Sequence, residues 1–213
     1  MTDKLIVEFF FSPGSRYSYL AASQIPRIES STGCRFEWHP VRGTEIRALR
    51  GRDPFAGEPI SGQYDWAYRE RDARMWAEYY GIPFREPPNH ELDFDLLARA
   101  AAAGKLLGAA ASYGWALCSV AYGSNEWPID REACLSLSEQ AGLGRSELDH
   151  LLDGPSPEEL LSRTTAEAHE RGVFGVPTFF FGERMYWGND RVVLLEHALH
   201  AAREARSPTR SRS

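Results

Sequence analysis

The chain has 213 residues, 43% of them hydrophobic, and a formal net charge of -6. This composition is typical of a soluble globular protein, and its acidic balance argues against nucleic acid as a partner. No apolar run approaches the roughly 20 residues that span a bilayer, so we expect no membrane partner. The first residues, MTDK, lead into a strand-like run without a signal-peptide pattern, so we expect a cytoplasmic location.

Cysteine and histidine usage predicts neither a disulfide framework nor a metal site. Cys34, Cys118 and Cys134 form no CxxC pair and lie far apart, which is typical of buried structural thiols. His197 and His200 lie three residues apart without cysteine or acidic partners of known geometry. We therefore expect no bound metal.

The chain opens with a β-α-β pattern. Residues 5–11 (LIVEFFF) form a β-branched and aromatic run that residues 12–14 (SPG) end, as in a buried strand. From Ser15 to Ile28 the apolar residues recur at helical intervals. Residues 35–41 then alternate like a second strand.

The middle of the chain is predicted to be helical, and the end returns to strands. The predicted helical stretches are 64–80, 94–121, 131–140, 146–152 and 157–171. Residues 178–181 and 184–187 flank Gly182 and Glu183, which predicts a β-hairpin. A final helix follows to about residue 205, and the Ser/Arg-rich tail, 207–213, is predicted to be disordered.

The two ends of the chain must meet in one sheet, because neither half buries both faces alone. This arrangement is an α/β, thioredoxin-like fold with a large all-helical insertion domain. We predict a discontinuous thioredoxin-like domain made of 1–43 and 172–206, and a helical insertion domain of 44–171.

Four motifs occur in order along the chain: SRYSYL at 15–20, YGIP at 80–83, GVFGVPT at 172–178 and WGNDR at 187–191. Together they resemble the 2-hydroxychromene-2-carboxylate isomerases, which are relatives of kappa-class glutathione transferases and of the DsbA-type thioredoxin fold. The resemblance implies a homodimeric isomerase that uses glutathione as a cofactor and acts on a small unsaturated aromatic carboxylate.

Ser15 and Ser18 occupy the positions of the CxxC pair in redox members of the fold. A helix N-terminus at this place stabilises a sulfur anion, whereas two serines cannot form a disulfide. The resemblance implies that Ser15 is the catalytic serine, which hydrogen-bonds the glutathione sulfur and favours its thiolate. Helix capping is the alternative role of Ser15, and Ser12 offers a competing register. Arg16 stands where the family usually has proline, and places a cation near the thiolate.

The glutathione site is predicted to include the segment around Pro177. The resemblance implies that Val176–Pro177 is a cis peptide and that the Val176 backbone pairs with the cysteinyl part of glutathione. A plain turn before a strand is the alternative.

Trp187, Gly188, Asn189 and Asp190 are predicted to complete this site. Gly188 permits a tight bend, and the helix start that follows offers N–H groups to a carboxylate. We expect the Asp190 carboxylate to accept a hydrogen bond from the γ-glutamyl ammonium of glutathione. We expect the Asn189 amide to hydrogen-bond either the ammonium or the carboxylate of the γ-glutamyl group. Ordinary capping by Asn189 or Asp190 is the alternative.

The substrate side is predicted from charge and aromatic content. Four arginines crowd the segment after the second strand: Arg42, Arg47, Arg50 and Arg52. Guanidinium groups suit carboxylates, so we expect Arg42 or Arg52 to bind one, with a solvated face as the alternative. Family members often have asparagine near position 52 and a later lysine, whereas this chain has Arg52 and no lysine between 53 and 104. Tyr80 and Trp76 are candidates for an aromatic wall, although a core helix explains them equally well.

The predicted reaction is reversible addition of the glutathione thiolate to a double bond conjugated with a carbonyl, followed by rotation and elimination. Two other functions fit the same groove. One is a kappa-like transferase that conjugates glutathione to electrophiles, and the other is a non-catalytic peptide-binding module. Ser15 and Ser18 argue against a disulfide oxidoreductase.

Overall fold

The computed structural model describes residues 4–49, 66–88 and 92–206. Within them, four strands form one mixed sheet in the order β2-β1-β3-β4. β1 (Ile6–Phe11) runs parallel to β2 (Arg35–Pro40) and antiparallel to β3 (Thr178–Phe181), which forms a hairpin with β4 (Arg184–Trp187). The two ends of the chain therefore meet in one sheet, as predicted. The predicted tail, 207–213, lies outside the described residues.

Helices cover both faces of this sheet. They are α1 (Arg16–Ala22), α2 (Ile25–Thr32), α3 (Gly43–Leu49), α4 (Trp66–Tyr80), α5 (Phe94–Leu106), α6 (Ala110–Gly123), α7 (Arg131–Gln140), α8 (Arg145–Asp153), α9 (Ser156–Glu170), a 3-10 turn (Asn189–Arg191) and α10 (Val192–Arg206). None of the described helices is both long and apolar enough to cross a membrane.

Two predicted helices are each divided in two. The helical pattern from Ser15 to Ile28 is interrupted between α1 and α2, because Pro26 lacks an N–H donor and its ring clashes with the carbonyl four residues earlier. The predicted helix 94–121 breaks at Gly108, whose φ of 80° is left-handed and ends α5.

Alternate residues of β1 pack on opposite faces of the sheet. Phe9 and Phe11 belong to the larger hydrophobic cluster, which includes residues of α5, α6 and α10. Phe10 belongs to a second cluster with Ile46 of α3 and Ala168 of α9. The sheet is therefore buried on both sides, and the N-terminus of α1 follows the end of its central strand.

Candidate active site

A cavity of about 740 Å³ lies beside the first turn of α1. This volume falls within the range of about 300–1,000 Å³ that is typical of small-molecule sites. Eight of the predicted site residues line it: Ser15, Arg42, Val176, Pro177, Trp187, Gly188, Asn189 and Asp190. The fold thus brings residues from both ends of the chain to one place.

Ser15 is both the N-cap of α1 and part of the cavity lining. Its backbone is extended, with φ -103° and ψ 118°, and its Oγ accepts from the Ser18 N–H at 3.3 Å. That bond uses an oxygen lone pair and leaves the hydroxyl proton for a donor role toward the cavity. Ser12, the competing register, lies before the helix, and its carbonyl accepts from the Ser15 N–H at 3.0 Å.

Arg16 forms a buried ion pair in the same lining. Its Nη1 lies 2.9 Å from Oε1 of Glu86, and the two side chains are 6% and 8% exposed. Because the pair is close to neutral as a unit, the cation expected next to Ser15 is largely compensated.

Val176 and Pro177 line the cavity, and the peptide bond between them is cis. Within the described residues, neither the N–H nor the carbonyl of Val176 makes a hydrogen bond. Both groups are therefore available to an extended ligand. The Pro177 carbonyl, by contrast, accepts from the Gly188 N–H at 2.9 Å and ties this segment to the bend after β4.

Gly188 is required by the geometry of that bend. Its φ is 100°, and a Cβ there would lie 2.5 Å from Oδ1 of Asp190. The Asp190 carboxylate thus folds back over Gly188, and its Oδ2 lies 2.6 Å from Nη1 of Arg191. Asp190 is part of an exposed ion pair, which a ligand ammonium can share.

Asn189 lines the cavity and carries a buried donor. The residue is 3% exposed, and its Nδ2 has no hydrogen-bond partner among the described residues. A buried polar group without a partner costs about 1–3 kcal/mol, so a ligand acceptor that reaches Nδ2 would offset this cost. A hydrogen bond also holds the Asn189 backbone in place, because the Tyr80 hydroxyl donates to the Asn189 carbonyl at 3.3 Å.

Tyr80 is not part of the cavity lining, although we expected it to bind substrate. Its ring packs against Trp76 at a centroid distance of 5.4 Å, and burial raises its pKa to about 12. Trp76, the other candidate for an aromatic wall, does line the cavity. The structure therefore places Tyr80 as a support for Asn189.

Arg42 lines the cavity and is held by acidic side chains. Its two Nη atoms each lie 2.5 Å from an oxygen of Glu158, and its Nε donates to Asp95 at 2.9 Å. The hydrogen bonds from Arg42 lower the pKa of Glu158 below its usual value. A ligand carboxylate must compete for this guanidinium. Arg52, the other predicted carboxylate ligand, lies outside the described residues.

Several residues of the lining are not predicted from the sequence: Tyr17, Tyr68, Arg69, Asp72, Glu86 and Phe94. The Tyr17 hydroxyl donates to Oδ2 of Asp72 at 2.9 Å, and burial is the main reason that its pKa rises to about 12. Tyr68, Asp72 and Trp76 are spaced four residues apart on α4, a signal that predicts one helix face.

Comparison with known proteins places the chain among established families. Residues 6–200 match the DSBA-like thioredoxin domain. The chain is 31% identical to the 2-hydroxychromene-2-carboxylate isomerase of Pseudomonas putida over 198 residues, which cover 92% of this chain and 94% of that protein. The chain belongs to the 2-hydroxychromene-2-carboxylate isomerase family.

Solved structures agree with this family. A structure of 2-hydroxychromene-2-carboxylate isomerase matches with a TM-score of 0.80 and 29% identity, covering 94% of this chain and 97% of that one. The predicted thioredoxin-like fold with a helical insertion is thereby confirmed. The cytosolic disulfide reductase DsbM from Pseudomonas aeruginosa, solved with GSH, matches with a TM-score of 0.64 at 17% identity over 94% of this chain and 98% of that one, so it shares the fold.

Proposed function

We propose that this protein is a glutathione-dependent cis-trans isomerase of an unsaturated aromatic carboxylic acid, similar to the 2-hydroxychromene-2-carboxylate isomerases. The observation that carries the proposal is one cavity that joins the Ser15 hydroxyl, the unpaired Val176 backbone and the buried Asn189 amide. From the family resemblance we also propose a homodimer of 24.0 kDa chains, and we propose a cytoplasmic location as a separate expectation.

The donors and acceptors of the cavity fit glutathione. Glutathione is a short peptide with a thiol in its middle and a carboxylate at each end. The Val176 backbone suits its cysteinyl part, the buried Nδ2 of Asn189 suits a carboxylate, and Asp190 suits the γ-glutamyl ammonium. DsbM, which shares this fold, has been solved with the same compound.

Each residue then has a defined task. When bound, glutathione would supply a thiolate nucleophile for reversible addition to the conjugated double bond of the substrate. Ser15 donates its hydroxyl proton toward the sulfur and so favours the charged form. Arg42 orients the carboxylate of the substrate, and the Arg16–Glu86 pair next to Ser15 adds little net charge.

The first test is isothermal titration with glutathione, together with an assay of 2-hydroxychromene-2-carboxylate turnover, on the wild type and on Ser15→Ala. We predict that Ser15→Ala binds glutathione more weakly and turns over about 100-fold more slowly, as expected when one hydrogen bond to an anion is lost. Removal of the cap also costs about 1 kcal/mol of stability.

Asp130→Ala is the matched control, because Asp130 is an exposed N-cap of α7 that accepts from the Ala133 N–H at 2.9 Å. It should lose similar stability and keep both glutathione binding and turnover. Unchanged turnover in Ser15→Ala would refute the assigned role.

The same assay separates the competing functions. An isomerase leaves the concentration of free glutathione thiol constant, whereas a kappa-like transferase consumes one thiol for each product. Tight binding of unrelated extended peptides, independent of glutathione and of Ser15, would indicate the non-catalytic peptide-binding module.

A further inference from the structure

Phe94 is an exposed aromatic side chain that lines the cavity close to Ser15. It is the first residue of α5 and is 44% exposed. Its ring lies against Gly14, the residue before Ser15: a Cβ on Gly14 would be 2.4 Å from Cδ1 and 2.8 Å from Cε1 of Phe94. Because Gly14 has no positive φ, glycine is needed here for space and not for backbone conformation.

Asp95, the residue after Phe94, pairs with Arg42 at the same edge of the cavity. Asp95 accepts from Nε of Arg42 at 2.9 Å, and Asp95 is 64% exposed. Asp95 also lies 2.8 Å from Nη2 of Arg42, whose own side chain is 16% exposed. Because the Asp95 carboxylate is well solvated, it can return to water when a ligand carboxylate takes its place on Arg42. Glu158, which holds both Nη atoms at 2.5 Å, keeps the guanidinium in position during this exchange.

We propose that Phe94 is a specificity-determining residue that receives the aryl ring of the substrate, while Arg42 receives its carboxylate. The inference rests on the proposed function and names the residue that selects for an aromatic ring at that site. An aryl carboxylate carries a planar ring next to a charged group, which is the arrangement that Phe94 and Arg42 complement. An aliphatic unsaturated acid would use Arg42 alone, so Phe94 distinguishes the two classes.

Binding of two unreactive probes tests the proposal by isothermal titration, with and without glutathione. 2-Naphthoate carries a planar ring and a carboxylate, whereas hexanoate carries the carboxylate alone. We predict that Phe94→Ala weakens 2-naphthoate binding about 10-fold, equivalent to about 1.4 kcal/mol, and leaves hexanoate and glutathione binding unchanged. Phe94→Tyr should retain 2-naphthoate binding, because it keeps the ring.

Leu106→Ala is the matched control, because Leu106 ends the same helix, is also 44% exposed and does not line the cavity. It should bind both probes as the wild type does. Equal 2-naphthoate binding by the wild type and Phe94→Ala would overturn the proposal, as would equal losses for both probes. A wild type that fails to bind glutathione would refute the proposed function, while the 2-naphthoate comparison still decides the role of Phe94.

Gly14→Ala tests the contact between Gly14 and the Phe94 ring by changing Gly14. The added methyl group must displace the Phe94 ring, so we expect Gly14→Ala to weaken 2-naphthoate binding in the wild-type background. In the Phe94→Ala background the same substitution should have no further effect, since residues in contact are not additive. Fully additive losses would show that Gly14 does not act through Phe94.

Discussion

His39 lies on the second face of the sheet, in surroundings that oppose a positive charge. Its ring stacks on Phe10 at 4.9 Å, and its Nδ1 lies 3.1 Å from Nζ of Lys105. Because an ammonium group only donates, Nδ1 acts as the acceptor and the imidazole is neutral. Burial, and then the charge of Lys105, lower the pKa of His39 to about 4.

We predict that His39 makes the protein less stable as the pH falls from the ordinary histidine pKa of 6.5 to about 4. In this pH range the unfolded chain takes up a proton that the folded chain excludes. The stability that depends on neutral His39 is therefore fully present above pH 6.5 and is lost as the pH falls toward 4. One proton changes the free energy of unfolding by at most about 1.4 kcal/mol per pH unit. Glu8 and Arg171 also face the ring, and Glu8 opposes the shift.

Urea denaturation across this pH range measures the effect, and His39→Gln is the comparison. The variant keeps a neutral polar side chain and should show a flatter dependence of unfolding free energy on pH. Parallel profiles for the two proteins would contradict the prediction.

Some residues of the site can be predicted from the sequence alone, and others cannot. Ser15 and Asn189 belong to short local motifs, so their positions could be predicted without knowledge of the fold. Glu86 could not, because only tertiary structure brings it to Arg16. Phe94 begins an alanine-rich helix and carries no local sign that its ring contacts Gly14. The sequence suggests Tyr80 as a substrate contact, whereas in the structure its hydroxyl donates to the Asn189 carbonyl.

The secondary-structure elements were predictable where their signals are local. The hairpin of β3 and β4 has the predicted bounds, since two short aromatic runs flank a turn that begins with a left-handed Gly182. The division between α1 and α2 was missed, although Pro26 was a signal for it. The approach of a helix to the sheet has no such signal, because it depends on residues from distant segments.

α6 packs closely against the sheet at Gly114. A Cβ there would lie 2.8 Å from Cζ of Phe11 and 3.2 Å from Cε3 of Trp38, both of which are in the core. We predict that Gly114→Ala lowers the free energy of unfolding by about 1 kcal/mol, because overpacking outweighs the higher helix propensity of alanine. Urea denaturation measures the difference.

Gly154→Ala is the control, because a Cβ on Gly154 would make only ordinary contacts, at 3.5 Å from the carbonyl oxygen of Leu151 and 3.7 Å from that of His150. This substitution should change stability little. A Gly114→Ala protein that is as stable as the wild type, or more so, would mean that the α6 contact with β1 relaxes easily.

At the scale of the whole molecule, one hydrophobic cluster joins the predicted thioredoxin-like segments to the predicted insertion. It contains Phe9 of β1 and Leu195 of α10, together with Leu97, Leu117 and Leu148 of α5, α6 and α8. The insertion thus covers a face of the sheet that would otherwise be apolar and exposed. The cavity also takes residues from both parts, so the site depends on their packing.

We predict from this shared core that the chain unfolds in one cooperative transition, even though its thioredoxin-like part is discontinuous. Far-UV and near-UV circular dichroism should give the same urea midpoint, and the calorimetric and van't Hoff enthalpies should agree. The most protected amides of β1 and of α6 should exchange with the same free energy of opening. Two separate midpoints, or earlier exchange throughout α6, would instead make 44–171 an independently unfolding unit. The cavity would then lose part of its lining before the sheet unfolds, and ligand binding would stabilise the first transition but not the second.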